Sequence, residues 1–577
     1  RQMCIRDRSN ADLCLIGTVI LMDTSARERT VMHVYTADSI RAAEAPLLTS
    51  LPEGELMRRA SYGLALHAVK EIRRIKGNVY GSHVVLIVGA GNNGGDTLWA
   101  GTYLRRKGAA VTAILLNPER THKAGLTAFR AAYGNVISFS DTAVSGNVEN
   151  ADLVSAIKTA DLALEGIVGI GGHGPLRESA AAIINALEEA SVPIMSVDIP
   201  AGIDPDTGVR HHPHVHPMAT VTFGALKPCR ILAGPYCGRV SLVDIGLDLN
   251  AETPAMQVLS DEDVAAQWPI PGSTDNKYTT GVVGICAGSH KYPGAALLSV
   301  AGATHASSAM VRYAGSATDL VLFHQPDTIC VTSPKHAGHV NAWAVGPGIG
   351  TDEKAYKRLR WILKQDVPVV VDADAITLIS RFPELMDYRP EGAATLVTPH
   401  TGEFLRLCSA YSAASQYLLP QSTTDIEQMG CSAAVTACRE AWKNQGINLS
   451  ILLKGRATYI AGSEGIYAED TGSSWAATPG SGDVLTGIVG ALVAHGAVAG
   501  RSVEESAAMA VRVHSRAALL ASLGASFGES AGKTWPADGA RRFLSDTDTA
   551  GRGAPVTASE ISQSISAAIR DVRNGTL

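Results

Sequence analysis

From Val84 to Gly91 the chain reads VVLIVGAG, an unbroken apolar run closed by glycine. Such a run, without polar alternation, fits a parallel strand buried on both faces. A polar turn, Asn92-Asn93-Gly94-Gly95-Asp96, comes next. A helical pattern from Leu98 to Lys107 follows it, and VTAILL then reads as a second strand. The alternation returns in DLALEGIVGIGG and PIMSVDIPAGID, which end in Gly, Asp and Pro. Strands alternating with helices predict a parallel, doubly wound α/β sheet. Ligands of such sheets gather at the C-terminal strand ends. The polar clusters 92–96, 165–175 and 198–204 all fall at such ends.

A connector bearing Pro and Asp near 250–256 marks a boundary. It divides the chain into units 32–250 and 257–577. Beyond it, GVVGICAGS reads as a strand and turn, and YPGAALLSVAGATHASSAMV as an Ala-rich helix. WAVGPGIG, VPVVVDADAITLI, ATLVTPHTGEF and LSILLKGRATYIAG are strand-like runs that end in Gly, His, Lys or acid. Both units therefore read as α/β, without an obvious sequence repeat. MHVYTADSIRAAEAPLL, from Met32, has an amphipathic helix pattern. Residues 1–31 stand apart, basic and then apolar from Leu13 to Met22, with no clear small-residue cleavage site. They read as a non-native or disordered leader, with Met32 as the natural start.

The stretch 478-TPGSGDVLTG-487 puts two glycines and a serine before one aspartate, and an apolar run follows. That run reads as a buried helix, too short and Gly-rich to span a membrane. A Gly-rich turn at a helix start offers N–H groups and a dipole to an anion such as phosphate. Asp483 falls in the first turn. It either caps the helix or accepts a proton from a hydroxyl attacking phosphorus.

Composition narrows the class. The chain of 577 residues is 46% hydrophobic and 18% charged, with 57 glycines, an enzyme-like balance rather than a disordered or fibrous one. A net charge of −6 argues against nucleic acid as a partner. Nine cysteines without a CxxC pair read as reduced thiols in a cytoplasmic protein. Ala- and Gly-rich surfaces predict a homo-oligomer, and no membrane partner is expected. The histidine-rich stretch 210-RHHPHVHPM-218 has prolines that break helical pairing and no neighbouring Cys or carboxylate, so it reads as a surface loop. GAGNNGG keeps the glycine spacing of GxGxxG, but the next strand, VTAILL, ends without the acid that completes that fingerprint, so the stretch does not read as a simple dinucleotide-binding dehydrogenase. Its Asn92, Asn93 and Asp96 would serve a monovalent cation, a ribose or merely a tight polar turn.

The first unit resembles the NAD(P)H-hydrate epimerase domain through 89-GAGNNGGDTLWAG-101, 161-DLALEGIVGIGGHGPLR-177, 197-VDIPAGIDPDTG-208 and 220-TVTFGALKP-228. The second resembles the ADP- or ATP-dependent NAD(P)H-hydrate dehydratase through 277-KYTTG-281, 288-GSHKYPGA-295, 346-GPGIG-350, 371-VDADAI-376, 397-VTPHTGEFLRL-407, 453-LKGRAT-458 and 480-GSGDVLTG-487. The resemblance spans residues 32–570 in order. It implies a Rossmann-like doubly wound sheet followed by a ribokinase-like α/β sandwich. The implied substrate is NAD(P)HX, reduced nicotinamide cofactor hydrated at C6. The implied phosphoryl donor is ADP or ATP, with Mg²⁺ and K⁺.

The resemblance carries roles position by position. Asp483 would be the base that takes the C6 hydroxyl proton. Gly480, Ser481 and Gly482 would present N–H groups to the phosphoryl. Lys454, Gly455, Arg456, Ala457 and Thr458 would bind nucleotide. Substrate would meet Ala295, Gly348 and His400, although His400 also reads as a structural histidine. Asp372 and Asp374 would hold Mg²⁺ through water or cap a strand end. In the first unit, Asn92, Asn93, Gly94, Gly95 and Asp96 would contact substrate, as would Gly169, Ile170, Gly171, Gly172, His173, Gly174 and Pro175. Asp198 would be the acid–base residue that inverts C6. Potassium would sit near Asn93, Glu165 and Ala201. Three positions depart from the family pattern: Glu165 replaces Asp, Ala201 replaces Ser and Thr97 replaces Gly. A longer carboxylate and a lost hydroxyl would disturb a potassium site. The competing readings are a ribokinase-like small-molecule kinase with an accessory first unit, and a nucleotide-binding sensor without turnover.

Overall fold

The apolar runs become strands of two sheets. The computed structural model describes residues 32–139, 151–307, 309–412, 418–470, 472–524 and 553–574. The leader expected at 1–31 lies outside them. In chain order the strands of the first part are β1 (Met32–Val34), β2 (His83–Val88), β3 (Ala110–Leu115), β4 (Asn135–Ser138), β5 (Leu162–Gly166), β6 (Ile194–Val197), β7 (Ala219–Phe223) and β8 (Arg239–Val243). Then come β9 (Met256–Val258), β10 (Val283–Cys286), β11 (Val311–Ala314), β12 (Ile329–Val331), β13 (Ala342–Val345), β14 (Val369–Val371), β15 (Thr395–Val397), β16 (Ser450–Leu453), β17 (Ala457–Gly462) and β18 (Gly465–Asp470).

Seven strands form a wholly parallel sheet in the order β4-β3-β2-β5-β6-β7-β8. Apolar clusters lie on both of its faces, as a doubly wound sheet requires. The second sheet has eleven strands in the order β1-β9-β18-β17-β16-β15-β14-β13-β10-β11-β12. Its strands β10 to β16 are parallel, and β17 and β18 continue it as an antiparallel hairpin.

Four features differ from the sequence reading, each for a local reason. Met32–Val34 is a strand rather than the start of a helix. It pairs antiparallel with β9 in the second sheet, and the helix begins only at Ala37, capped by Thr36. The turn 92–96 is already the start of a helix, Asn92–Arg106, because Gly91 at φ 90° turns the chain before it. VPVVVDADAITLI divides at Asp372 into β14 and the helix Ala373–Arg381. LSILLKGRATYIAG folds back after Leu453, so it supplies two strands instead of one.

The apolar run after Asp483 extends into a 19-residue helix, Ser481–Ala499. It is long and apolar enough to span a membrane, contrary to the expectation, but two-thirds of its apolar stretch is buried inside the protein, as in a core helix. Its main partner is the helix Pro293–Ala306, and glycines bring the two backbones together. A Cβ on Gly302 would lie 2.2 Å from the Val484 carbonyl oxygen, and one on Gly487 would lie 2.0 Å from that of Ser299.

Candidate active sites

In the second sheet β14, β15 and β16 run side by side. The residues that follow them are Asp372, the segment Thr398-Pro399-His400, and Lys454. The Lys454 N–H donates to the Pro399 carbonyl at 2.9 Å, which holds two of these strand ends together. Asp372 is buried, and both its oxygens are engaged. Oδ1 meets Lys454 Nζ at 2.6 Å, and Oδ2 accepts from Thr486 Oγ1 at 2.6 Å. Lys454 thereby lies over the start of the Ser481–Ala499 helix, with Nζ 3.5 Å from where a Gly482 Cβ would be.

Gly480 precedes that helix at φ 85°, and no side chain among the described residues caps the first turn. The Ser481 N–H is turned to the Thr478 carbonyl at 3.2 Å, so it does not point outward as the sequence reading expected. Its hydroxyl is 3.0 Å from Nε2 of His514, whose buried ring has its pKa pushed down to about 4. Asp483 is half-buried in the first turn, and its side chain does not cap the helix. Burial, reinforced by the Asp372 charge and opposed by Lys454, raises its carboxyl to about 7. A carboxylate tuned to that value suits proton transfer near neutrality.

The other expected residues divide. Gly348, at φ 61°, lies against Ala295, so these two are neighbours. His400 caps the helix Thr401–Tyr411. Its Nδ1 accepts the Gly402 N–H at 3.0 Å, and its backbone N–H donates to Glu403. With Nδ1 accepting, the neutral ring carries its proton on Nε2. Gly455 stays in the turn beside Lys454, whereas Ala457 and Thr458 enter β17. Arg456 pairs with Asp470 at 3.0 Å. Asp374 accepts from the Gly350 N–H at 2.8 Å. With the oxygens of Asp372 taken, these carboxylates do not form a cage for Mg²⁺. Among the described residues no group of three His, Cys, Asp or Glu converges on a metal position.

In the first sheet, Asp198 follows β6 in the left-handed region, at φ 68°, which is strained for a non-glycine residue. Its Oδ1 accepts from Lys227 Nζ at 2.6 Å and from Thr222 Oγ1 at 3.1 Å. Lys227 is buried and also donates to Thr222 Oγ1 and the Phe223 carbonyl, both at 2.8 Å. Oδ2 of Asp198 faces Gly169, 3.2 Å from the place a Cβ would take, and Asn93 Oδ1 is 3.5 Å from that same place. Asp96 is buried, and its Oδ1 has no hydrogen-bond partner among the described residues. Burial first, then the Asp198 and Glu44 charges, raise its carboxyl well above the ordinary range. Asn92, Gly94 and Gly95 lie in the same helix start. Residues 169–175 form a loop beside Asp198, where Arg41 donates to the Ile170 carbonyl at 2.9 Å and His173 pairs with Asp204.

The expected potassium position is filled by protein hydrogen bonds. Glu165 is fully buried. Its Oε2 accepts from Ser196 Oγ at 2.7 Å and from the Ala201 N–H at 3.4 Å, and Oε1 accepts from the Ile167 N–H at 2.9 Å. Burial raises its carboxyl to about 8. The Asn93 amide donates to the Val168 and Val197 carbonyls. These residues, as arranged, do not fit a potassium ion. Thr97 is accommodated because position 166 is glycine: a Cβ there would lie 1.8 Å from Thr97 Oγ1. The histidine stretch is a loop, but His214 is buried against Gly202 rather than exposed.

The sequence reading does not single out Lys227, Thr486 or His514. Lys227 and Thr486 lie inside motifs quoted above, whereas His514 comes from a distant helix with no local signal.

Two family models match the chain. One, described as YjeF-related protein N-terminus, covers residues 53–229, and the other, NAD(P)H-hydrate dehydratase, covers 283–532. The bifunctional NAD(P)H-hydrate repair enzyme Nnr of Mycobacterium tuberculosis is 47% identical over 471 residues, 82% of this chain and 91% of the relative. The enzyme of the same description from Mycobacterium leprae is 46% identical over 490 residues, 85% of this chain and 94% of the relative. An NAD(P)H-hydrate epimerase of Microbacterium testaceum is 38% identical over 260 residues, 44% of this chain and 93% of the relative.

Proposed function

The chain belongs to the family of bifunctional NAD(P)H-hydrate repair enzymes, and from that premise we propose how its two sites divide the work. One half interconverts the epimers of hydrated NAD(P)H, and the other dehydrates the S epimer.

In the dehydratase half, hydroxide is too poor a leaving group to depart from C6 unaided. Asp483 takes the proton from the C6 hydroxyl as that oxygen attacks the terminal phosphorus of ADP or ATP. Lys454, fixed by Asp372, and the uncapped helix start oppose the negative charge that spreads over the phosphoryl oxygens. The C6–O bond then breaks, phosphate leaves with its electron pair, and the ring nitrogen supplies electrons. Loss of a proton from C5 restores the dihydropyridine. Magnesium would arrive with the nucleotide phosphates rather than in a cage of its own.

In the epimerase half, inversion requires one proton given and one taken. Asp96, whose carboxyl burial pushes toward its protonated form, gives a proton so that the C6 oxygen leaves as water. Oδ2 of Asp198, whose other oxygen is paired with Lys227, takes a proton from the water that returns to the opposite face. No step is assigned to potassium.

The observation that carries the dehydratase reading is the meeting of Asp483, the Lys454–Asp372 pair and the uncapped helix start. With (S)-NADHX and nucleotide, the expected result is one NADH formed per phosphate released. A stable phosphorylated product without NADH would overturn this reading in favour of a kinase.

A further inference from the structure

The nucleotide turn Lys454–Thr458 is held from three directions. The Lys454 N–H reaches the Pro399 carbonyl, and Thr458 Oγ1 donates to the Gly455 carbonyl at 3.1 Å. The third hold is the ion pair of Arg456 with Asp470, the last residue of β18, which stands opposite Ala457 in the ladder. Asp470 Oδ1 also accepts the Gly472 N–H at 3.0 Å.

The other side of Asp470 belongs to the first half. A Cβ on Gly234 would lie 2.4 Å from Asp470 Oδ2 and 3.3 Å from Arg456 Nη1. Gly234 follows the short helix Cys229–Leu232, which itself follows Lys227 of the epimerase site. Ile231 from that helix packs with Met256, Val258, Tyr459 and Ala468 of the second sheet. A backbone link lies beside this contact. Val34 of β1 bridges to Leu226, and the Tyr35 N–H donates to the Leu226 carbonyl at 2.9 Å. The segment that carries Lys227 is therefore bonded to the sheet that carries the nucleotide turn.

We propose that Asp470 is a positioning residue for the nucleotide turn, and that the first half fixes it through the Lys227–Gly234 segment, so that the epimerase half sets the nucleotide affinity of the dehydratase half. This rests on the reading that nucleotide binds at Lys454–Thr458. A substitution in one half then changes a kinetic constant of the other without touching its site.

The test uses the full chain and measures kcat and nucleotide KM for dehydration, with epimerisation and melting temperature beside them. Asp470→Asn weakens the hold on Arg456 and should raise nucleotide KM roughly tenfold, the size of one charge-assisted hydrogen bond, with kcat nearly unchanged. Gly234→Ala pushes the Asp470 carboxylate aside and should raise the same KM several-fold, leaving the epimerisation rate as it was. The double variant should be no worse than Asp470→Asn alone, and Asp470→Glu should recover part of the affinity. Unchanged KM in Asp470→Asn, or a double variant whose two effects multiply, would overturn the proposal. Lys454→Met separates the two readings. If it leaves KM unchanged, the nucleotide assignment fails. If it alone raises KM, that assignment stands and the role of Asp470 falls.

Discussion

Asp483 sits where burial and the Asp372 charge hold its proton to about pH 7, with Lys454 pulling the other way. A base with that value should give kcat/KM for dehydration that rises with pH and levels off above about 7. Asp483→Asn should cost about 10²–10⁴-fold in kcat and remove that rise while the chain stays folded. A loss of melting temperature that tracks the loss of activity would contradict a chemical role. Glu165 offers a separate test on stability. Its folded carboxyl keeps a proton to about 8, whereas an unfolded one loses it near the ordinary value of 4.5. The folded state therefore binds more protons across that interval, and stability falls as pH rises through it. Glu165→Gln should remove this fall, so its melting temperature should gain progressively on the parent from about pH 4.5 to 8 and hold a steady difference above that. A difference constant across the whole range would mean that Glu165 does not keep its proton in the folded chain.

At the scale of elements, the helix Ser481–Ala499 places Asp483, and its position depends on close packing against Pro293–Ala306. Gly487→Ala would drive a Cβ to 2.0 Å from the Ser299 carbonyl oxygen, an atom that moves only with its backbone. The expected cost is about 1–3 kcal/mol by denaturant unfolding, accompanied by a lower kcat as the helix start shifts. The sequence makes this helix legible because a mostly apolar run follows a glycine turn. It hides the helix's length, since His495 and Gly496 look like an early stop although the helix runs on to Ala499. Strand-like runs are harder to divide. In VPVVVDADAITLI the apolar period changes at Asp372, and over so few residues a strand and a buried helix look alike. Lys227 escapes notice for a related reason: one lysine after an apolar strand looks like a solvated strand end until its burial against Asp198 is seen.

At the scale of the whole molecule, alternation of strand and helix is enough to predict two α/β units. It does not reveal that Met32–Val34 crosses to the second sheet, because three residues carry no periodic signal and their partner β9 lies over two hundred residues away. The ordered motifs point to both candidate sites, but not to the contacts that join them, such as Gly234 with Asp470, which depend on distant backbone. A joined molecule with two working sites makes a direct prediction. Absorbance at 340 nm is followed on a mixture of (R)- and (S)-NADHX with Mg²⁺ and ADP or ATP. The account predicts a nucleotide-dependent rise that runs to completion faster than spontaneous epimerisation allows. A rise that stalls at the S fraction would contradict the epimerase half, and no rise with either nucleotide would contradict the repair assignment itself.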